Sequence, residues 1–141
     1  MVTLPPHQSR LIEMVFPPQT NHYGTLFGGQ ALALMDKAAF VTASRYARRN
    51  IVTACSEKID FHCPVKQGQL VDMLGTVIST GRTSMVVEVE LHSEDLLTGE
   101  RNLCTKGRFV LVALGSDGRP TPVPTLEAQA NEDGSEKACL S

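Results

Sequence analysis

The 141-residue sequence has no segment apolar enough to span a membrane, and its formal net charge is only -2. A membrane helix needs roughly 18 consecutive apolar residues, and no stretch approaches that length. The N-terminus lacks the charged start and apolar run of a secretion signal. Without an excess of positive charge, nothing favours nucleic acid as a partner. We therefore expect a cytoplasmic protein with no membrane and no nucleic acid among its partners.

The motifs of several enzyme classes are also absent. The sequence has no G-x-S-x-G, no P-loop, no G-x-G-x-x-G after a strand and no H-E-x-x-H. Serine hydrolase, nucleoside triphosphatase, dinucleotide-binding and zinc protease functions therefore lose their usual support. The four cysteines, Cys55, Cys63, Cys104 and Cys139, form no CxxC pair and show no metal-ligand spacing with the four histidines. We expect buried free thiols and no metal.

What is present fits a single domain with one core. Residues 9–14 alternate like a short strand, and residues 27–50 carry apolar side chains at helical spacing. Because this helix is rich in alanine, it should be a central helix, packed closely on several sides. From residue 51 the period changes to two, which predicts a strand as far as Cys63. Three more strand-like runs, 70–79, 83–94 and 101–114, are separated by turn residues.

This order of elements predicts an α+β fold in which an antiparallel sheet wraps around one long central helix. From Ser116 the chain is rich in proline and then polar, with no apolar period. We expect one domain over residues 1–124 and a flexible polar tail over residues 125–141.

Asp36 is the most informative candidate for chemistry. It lies in the middle of the predicted helix, and the positions three and four residues away on either side are apolar. Aspartate is costly to desolvate and is a mediocre helix former, so its charge here suggests a general base or a nucleophile. The alternative is a solvated aspartate, or one paired with a distant arginine.

Gly28 and Gly29 lie where the helix begins, seven residues or about 10 Å before Asp36. The unpaired N–H groups of a first helical turn suit a carbonyl oxygen that gains negative charge, although glycines also serve turns for structural reasons. Asn21, in the preceding loop, either stabilises that loop or orients a water molecule. Its neighbour His22 is a weaker candidate, as an acid-base partner of Asp36.

Arg82, Thr83 and Ser84 lie between two predicted strands. An arginine with two hydroxyls could hold a phosphate group, and the same residues equally suit a simple hairpin turn.

The segment TNHYGTLFGGQALALMDKAA resembles the signature of the hotdog-fold acyl-CoA thioesterases, a family of bacterial acyl-CoA hydrolases. The resemblance continues through VTACSEKIDFHCPVKQGQLV and GTVISTGRTSMVVEVE and covers roughly residues 8–124. It implies that Asp36 is catalytic, that Asn21 belongs to the same site, and that the CoA nucleotide lies near Gly81–Ser84. It also implies a homodimer as the minimal active unit, with Asn21 of one chain facing Asp36 of the other. Many relatives assemble further into hexamers, as trimers of dimers.

The expected reaction is hydrolysis of acyl-CoA to free fatty acid and CoA. The N–H of Gly28 or Gly29 would polarise the carbonyl, Asp36 would act as base or nucleophile, and Asn21 would position water. CoA is part of the substrate, so no separate cofactor is expected. Two alternatives remain open. One is a hydratase or dehydratase of acyl thioesters that uses His22 with Asp36, and the other is a non-catalytic acyl-CoA sensor.

Overall fold

The computed structural model describes residues 3–126. Within them lie five strands, one long helix and the short 3-10 turn Pro17–Gln19. The strands and the helix are β1 (Gln8–Met14), α1 (Gly28–Ala47), β2 (Asn50–Ser56), β3 (Leu70–Thr80), β4 (Ser84–Glu94) and β5 (Arg101–Leu114). Most of the predicted polar tail, from residue 127 onward, lies outside the described residues.

The five strands form one antiparallel sheet in the order β1-β3-β4-β5-β2. β3, β4 and β5 make the predicted meander, and β1 and β2 lie at the two edges. α1 connects one edge strand to the other and packs against all five strands. The predicted α+β architecture, an antiparallel sheet wrapped around one long helix, is confirmed. No helix within residues 3–126 combines the length and the apolar character needed to cross a membrane.

The alanine-rich face of α1 lies against the sheet, closest at Gly75 of β3. A Cβ atom at Gly75 would overlap the side chain of Thr42, whose Oγ1 donates a 2.7 Å hydrogen bond to the carbonyl oxygen of Ala38. Small residues on both elements therefore permit the close approach predicted from composition. Leu32 and Phe40 of α1 are 41% and 43% exposed. Within the described residues, α1 thus packs against all five strands and keeps part of its surface exposed.

β2 is shorter than the sequence predicts, because regular pairing with β5 ends at Ser56 rather than continuing to Cys63. Beyond that point the chain touches β5 only at intervals, and Phe61 forms an isolated bridge with Thr105. The side chain of Ile59 lies over Gly107, where a Cβ atom would be 2.7 Å from it. Ile59 thus covers the face of β5 at Gly107, beyond the point where the ladder between β2 and β5 has ended.

A β-bulge interrupts β2 between Thr53 and Cys55. Two residues of the bulged strand then oppose one of its partner, so alternation between the two faces is reset. Beyond the bulge, Ser56 pairs with Phe109, whose side chain is in the core. Ser56 therefore lies on the same face as Thr53. The period of two predicted from residue 51 onward would place Ser56 on the face of Val52, and this is wrong because simple alternation does not allow for the bulge.

The expectation of free thiols is also wrong for the described residues. Cys63 and Cys104 form a disulfide, with their Cα atoms 4.9 Å apart, and none of the described cysteines is free. The two cysteines are 41 residues apart in sequence, and they meet because the segment after β2 runs alongside β5. Spacing along the chain carried no sign of this contact.

Candidate active site

The carboxylate of Asp36 is held by a hydrogen bond from the neighbouring edge strand. Thr53 Oγ1 donates to Asp36 Oδ1 at 2.8 Å. Asp36 is half-buried and takes part in none of the ion pairs between described residues. It lines a cavity of about 390 Å³, which we call the Asp36 cavity. Its other lining residues are Gly29, Leu32, Ala33, Thr53, Cys55, Ser56 and Phe109.

No sequence motif indicates Thr53, although it belongs to this site. In the sequence it is one position of an alternating strand. The available signal was that Thr53 falls on the same face as Ile51, a core residue that is 7% exposed. From that face the hydroxyl of the exposed Thr53 reaches α1, where Asp36 is its hydrogen-bond partner.

The first turn of α1 presents uncapped N–H groups. The N-cap residue, Phe27, has no side chain that could accept a hydrogen bond, and its carbonyl oxygen accepts from the N–H of Ala31. Among residues 3–126, nothing accepts a hydrogen bond from the N–H groups of Gly28 and Gly29. The partial positive charge of a helix N-terminus is therefore available to a ligand oxygen.

The space beside the two glycines is open. A Cβ atom at Gly29 would have no neighbour within 4 Å, and one at Gly28 would meet only the ring of Phe61, at 4.0 Å. Gly29 and Asp36 line the same cavity, so the structure brings the two predicted features together. The arrangement can polarise an oxygen at one end of the cavity and supply a base at the other.

Asn21 stabilises its own loop. Its Oδ1 accepts hydrogen bonds from the backbone N–H groups of Tyr23 and Thr25, at 2.9 and 3.1 Å, and from the Thr25 hydroxyl at 3.1 Å. Its Nδ2 group donates to no other residue of the described range. Asn21 is not among the residues that line the Asp36 cavity. Within one chain, the structure does not bring Asn21 and Asp36 together.

Arg82 and Thr83 lie in the turn between β3 and β4, which is tied to neighbouring backbone. The carbonyl oxygens of Arg82 and Thr83 accept hydrogen bonds from the N–H groups of Val123 and Ala113, both at 3.0 Å. The Arg82 side chain is exposed, whereas Ser84 is buried. The turn is separate from the Asp36 cavity. Of the three predicted substrate contacts, Arg82 is the one with an exposed charged group.

His22 lies outside the Asp36 cavity as well. Its ring lies against that of Tyr23, with the centroids 3.9 Å apart and the planes tilted by 38°, and both side chains are exposed. Across residues 3–126, no three His, Cys, Asp or Glu side chains are grouped closely enough to hold a metal ion.

Comparison with known protein families identifies the family to which this chain is similar. The family model of the thioesterase superfamily matches residues 23–100, more than half of the chain. The chain belongs to the thioesterase superfamily. The matched range of this superfamily member includes Asp36, Thr53 and the Arg82 turn.

Similar proteins support the same assignment. The uncharacterised acyl-CoA thioester hydrolase YkhA of Bacillus subtilis is 40% identical over 119 residues, which are 84% of this chain and 69% of that protein. The crystal structure of an apo-hexameric acyl-CoA thioesterase aligns with a TM-score of 0.84 and 40% identity, over 95% of this chain and 84% of that one. The predicted relation of this superfamily member to the hotdog acyl-CoA thioesterases is confirmed.

An acyl-CoA hydrolase from Staphylococcus aureus, solved with butyryl-CoA, CoA and CoA disulfide, aligns with a TM-score of 0.82 and 32% identity. The alignment covers 94% of this chain and 79% of that one. Structures of its alanine variants at one asparagine, one aspartate and one threonine also match this thioesterase superfamily member.

Proposed function

We propose that the protein hydrolyses acyl-CoA thioesters to a free fatty acid and CoA, with Asp36 as general base or nucleophile. The observation that carries this proposal is the Asp36 cavity itself. It joins a carboxylate fixed by Thr53 to the uncapped helix terminus at Gly29. Family membership supplies the reaction class, and the relatives described above are acyl-CoA hydrolases.

The chemistry begins with the thioester carbonyl oxygen at the N–H groups of Gly28 or Gly29. If Asp36 acts as a base, it takes a proton from water while the water oxygen attacks the carbonyl carbon. Negative charge then gathers on the carbonyl oxygen, where the helix N-terminus stabilises it. The C–S bond breaks and CoA leaves as a thiolate. Because an ordinary thiol has a pKa of about 8.5, departure requires no strong general acid.

Thr53 is a positioning residue for this carboxylate. Its hydroxyl occupies Oδ1 of Asp36, which fixes the side-chain orientation and leaves Oδ2 for water or for the substrate. The asparagine, aspartate and threonine substituted in the Staphylococcus aureus enzyme are separated by 15 and 17 residues. Asn21, Asp36 and Thr53 have the same two separations. This agreement supports assigning all three residues to one site.

The site is completed by a second copy of the chain. Asn21 does not line the Asp36 cavity of its own chain, and none of the described residues accepts from its Nδ2 group. On α1, one turn before and one turn after Asp36, Leu32 and Phe40 are 41% and 43% exposed. Apolar side chains exposed around a catalytic carboxylate favour coverage by a partner. We therefore place Asn21 of the partner subunit opposite Asp36, where its Nδ2 group would position the attacking water.

The remaining contacts concern the CoA nucleotide and higher assembly. The exposed guanidinium of Arg82, at the β3–β4 turn, would bind a CoA phosphate together with the hydroxyl of Thr83. The hydroxyl of Ser84 is buried and would support the turn. One similar structure is described as hexameric, which supports a trimer of dimers. The reaction needs no separate cofactor, because CoA enters as part of the substrate.

An assay with a panel of acyl-CoAs, from acetyl to palmitoyl, tests this function by monitoring the release of free thiol. Wild-type protein should release CoA, and Asp36→Ala should lose at least about a hundredfold in rate, the usual size of an acid-base contribution. Unchanged folding and oligomer size in Asp36→Ala would exclude a structural cause. CoA binding without release from any chain length would instead assign a sensor. No contact between His22 and Asp36 within the described chain favours dehydration.

A further inference from the structure

The Cys63–Cys104 disulfide fastens the segment after β2 to an irregular point of β5. The register between β4 and β5 shifts between Leu91 and His92, and Cys104 is the extra residue of this β-bulge. It therefore lies opposite no residue of β4, and its carbonyl oxygen accepts a 2.8 Å hydrogen bond from the N–H of His62. The bulge thus joins Cys104 to the segment after β2, both through its backbone and through its sulfur.

The same segment supports the chain that enters α1. The N–H of Leu26 donates to the carbonyl oxygen of Val65 at 2.8 Å, and Thr25 forms an isolated bridge with Lys66. Leu26 is followed closely by Gly28, the first residue of α1. The disulfide therefore anchors to β5 the segment that holds the uncapped end of the helix in position.

The disulfide is within reach of a small molecule. Both of its cysteines line a cavity of about 300 Å³, which also has Gly28 and Phe61 in its wall. Cys104 is 1% exposed, whereas Cys63 is only partly buried. Thiol–disulfide exchange requires access to the sulfur that is attacked. A thiol from solution is therefore directed to Cys63, and Cys104 is the leaving group.

We propose that the Cys63–Cys104 disulfide is a redox switch of the active site. The oxidised pair holds the entrance to α1 in place, and the reduced pair releases it. This inference rests on the proposed hydrolysis of acyl-CoA at Asp36 and adds the regulation of that site.

The reductant is a low-molecular-weight thiol such as glutathione. Its thiolate attacks Sγ of Cys63, the bond to Cys104 breaks, and Sγ of Cys104 leaves as a thiolate that takes a proton from water. A second glutathione thiolate then attacks the glutathione sulfur of the mixed disulfide. Cys63 is released as a thiolate and is protonated in turn. Two glutathione molecules are thus oxidised to one glutathione disulfide, and the protein disulfide is reduced to two thiols.

Reduction leaves weaker contacts between the segment and β5. Among them are the His62 hydrogen bond and the isolated bridge of Phe61 with Thr105. Isolated contacts open at a lower free energy than the regular ladder of a core strand. The chain that enters α1 at Gly28 then loses part of its fixed support. Because stabilisation of a carbonyl oxygen depends on donors that are held in place, activity should fall while the fold persists.

Equilibration of the wild-type protein in buffers of reduced and oxidised glutathione tests this proposal. Alkylation followed by mass spectrometry measures the fraction of protein with the Cys63–Cys104 disulfide. Hydrolysis is followed by chromatography of the acyl-CoA, because glutathione itself carries a thiol. On reduction, kcat/KM should fall at least about fivefold, follow the disulfide fraction, and return on re-oxidation. A broken disulfide with unchanged kcat/KM, or a pair that stays reduced in excess oxidised glutathione, would overturn the proposal.

Cysteine variants assign the response to this pair. The double variant Cys63→Ser with Cys104→Ser should have the low activity of the reduced wild type in every buffer. Cys139→Ser is the matched control, because it alters the one cysteine outside the described residues, and it should respond as the wild type does. A double variant that still responds to glutathione, or a Cys139→Ser protein that does not, would contradict the assignment to Cys63 and Cys104.

Hydrogen exchange of the wild type requires neither a variant nor activity. The amides of His62 and Leu26 should exchange at least about tenfold faster in the reduced protein, since they join the segment to β5 and to the chain before α1. The amide of Arg48, bonded to Ser44 at the other end of α1, should not change. If the protein hydrolysed no acyl-CoA, the proposed function would fail, yet this comparison would still decide whether the disulfide controls the helix entrance. Equal exchange of both amides in the two redox states would contradict the switch alone.

Discussion

Thr53 Oγ1 lies 2.8 Å from Asp36 Oδ1, and this hydrogen bond joins the edge strand β2 to the middle of α1. A threonine hydroxyl that donates to a carboxylate fixes its orientation without neutralising its charge. The carboxylate is therefore held by the sheet as well as by the helix that carries it.

Loss of this hydroxyl should slow the reaction with little effect on substrate binding. For Thr53→Ala we expect kcat to fall roughly tenfold to a hundredfold, the range for one hydrogen bond to a charged group, with KM within about threefold. Thr53→Ser keeps the hydroxyl and should retain most of the activity. Steady-state kinetics with one good acyl-CoA measure both variants. A larger rise in KM than fall in kcat would contradict a positioning role.

Mixed dimers should reveal whether Asn21 and Asp36 act across chains. We would combine Asp36→Ala with Asn21→Asp, which keeps the loop-forming Oδ1 and replaces the Nδ2 donor with a negatively charged carboxylate oxygen. A heterodimer then has one fully native site and one doubly altered site. When the two variants are refolded together in equal amounts, half of the dimers should be mixed. Each mixed dimer has one native site out of two, so about a quarter of wild-type activity should be restored.

Each variant refolded alone supplies the control for that experiment. Thiol release by the mixture, compared with the average of the two single variants, measures the restored activity. If the mixture is no more active than that average, the two residues act within one chain or not together.

Gly75 should tolerate no side chain while Thr42 is opposite it. Gly75→Ala places a methyl group against Thr42 and should lower the free energy of unfolding by about 1–3 kcal/mol, as overpacking does. Removing the opposing hydroxyl and methyl group with Thr42→Ala should recover part of the loss in the double variant. Urea unfolding of the wild type, both single variants and the double variant gives the coupling energy. Strict additivity would show that the two residues do not meet.

The turn between β4 and β5 should lose stability in acid. The backbone N–H groups of Thr98 and Leu97 donate to the Asp95 carboxylate and hold its pKa below the ordinary value. Because the pKa of Asp95 is lower in the folded state, its ionised carboxylate stabilises the fold, and this stabilisation is complete above the unfolded pKa of about 3.9. The stabilisation is lost as the pH falls through the lower pKa of the folded state.

The comparison variant for that turn is Asp95→Ala. Its deficit in unfolding free energy relative to wild type should be constant near neutral pH and should shrink below about pH 4. Asp95→Asn keeps an acceptor oxygen without the titration, so its stability should not show this acid-dependent loss. A deficit in Asp95→Ala that is the same at pH 3 and pH 7 would contradict the assignment.

Sequence reasoning found the elements whose period is regular. The α1 helix and the β3–β4–β5 meander follow the predicted segments closely, because uninterrupted apolar periods of 3.6 and 2 leave little choice. It failed after Ala54, where a bulge shifts the register and regular pairing with β5 ends at Ser56. Neither feature leaves a local trace, because each depends on pairing with residues more than forty positions away in sequence.

The candidate site was predictable to a similar degree. Asp36 and Gly29 lie in a fixed helical relation, so their shared cavity could be expected from the sequence. The hydrogen bond from Thr53 and the disulfide of Cys63 with Cys104 required tertiary structure. The role of Asn21 at the site was unpredictable for a different reason, because within its own chain Asn21 contacts only the loop that it stabilises.

The bulge in β2 leaves Ala54 outside the ladder of pairs. In a regular strand, residues three apart point in opposite directions, yet Thr53 and Ser56 face the same way. A chain that lacked Ala54 and kept the same ladder of pairs would alternate regularly, and Thr53 and Ser56 would still lie on one face. Among related sequences, a one-residue gap between Thr53 and Ser56 is therefore compatible with the same wall beside the carboxylate.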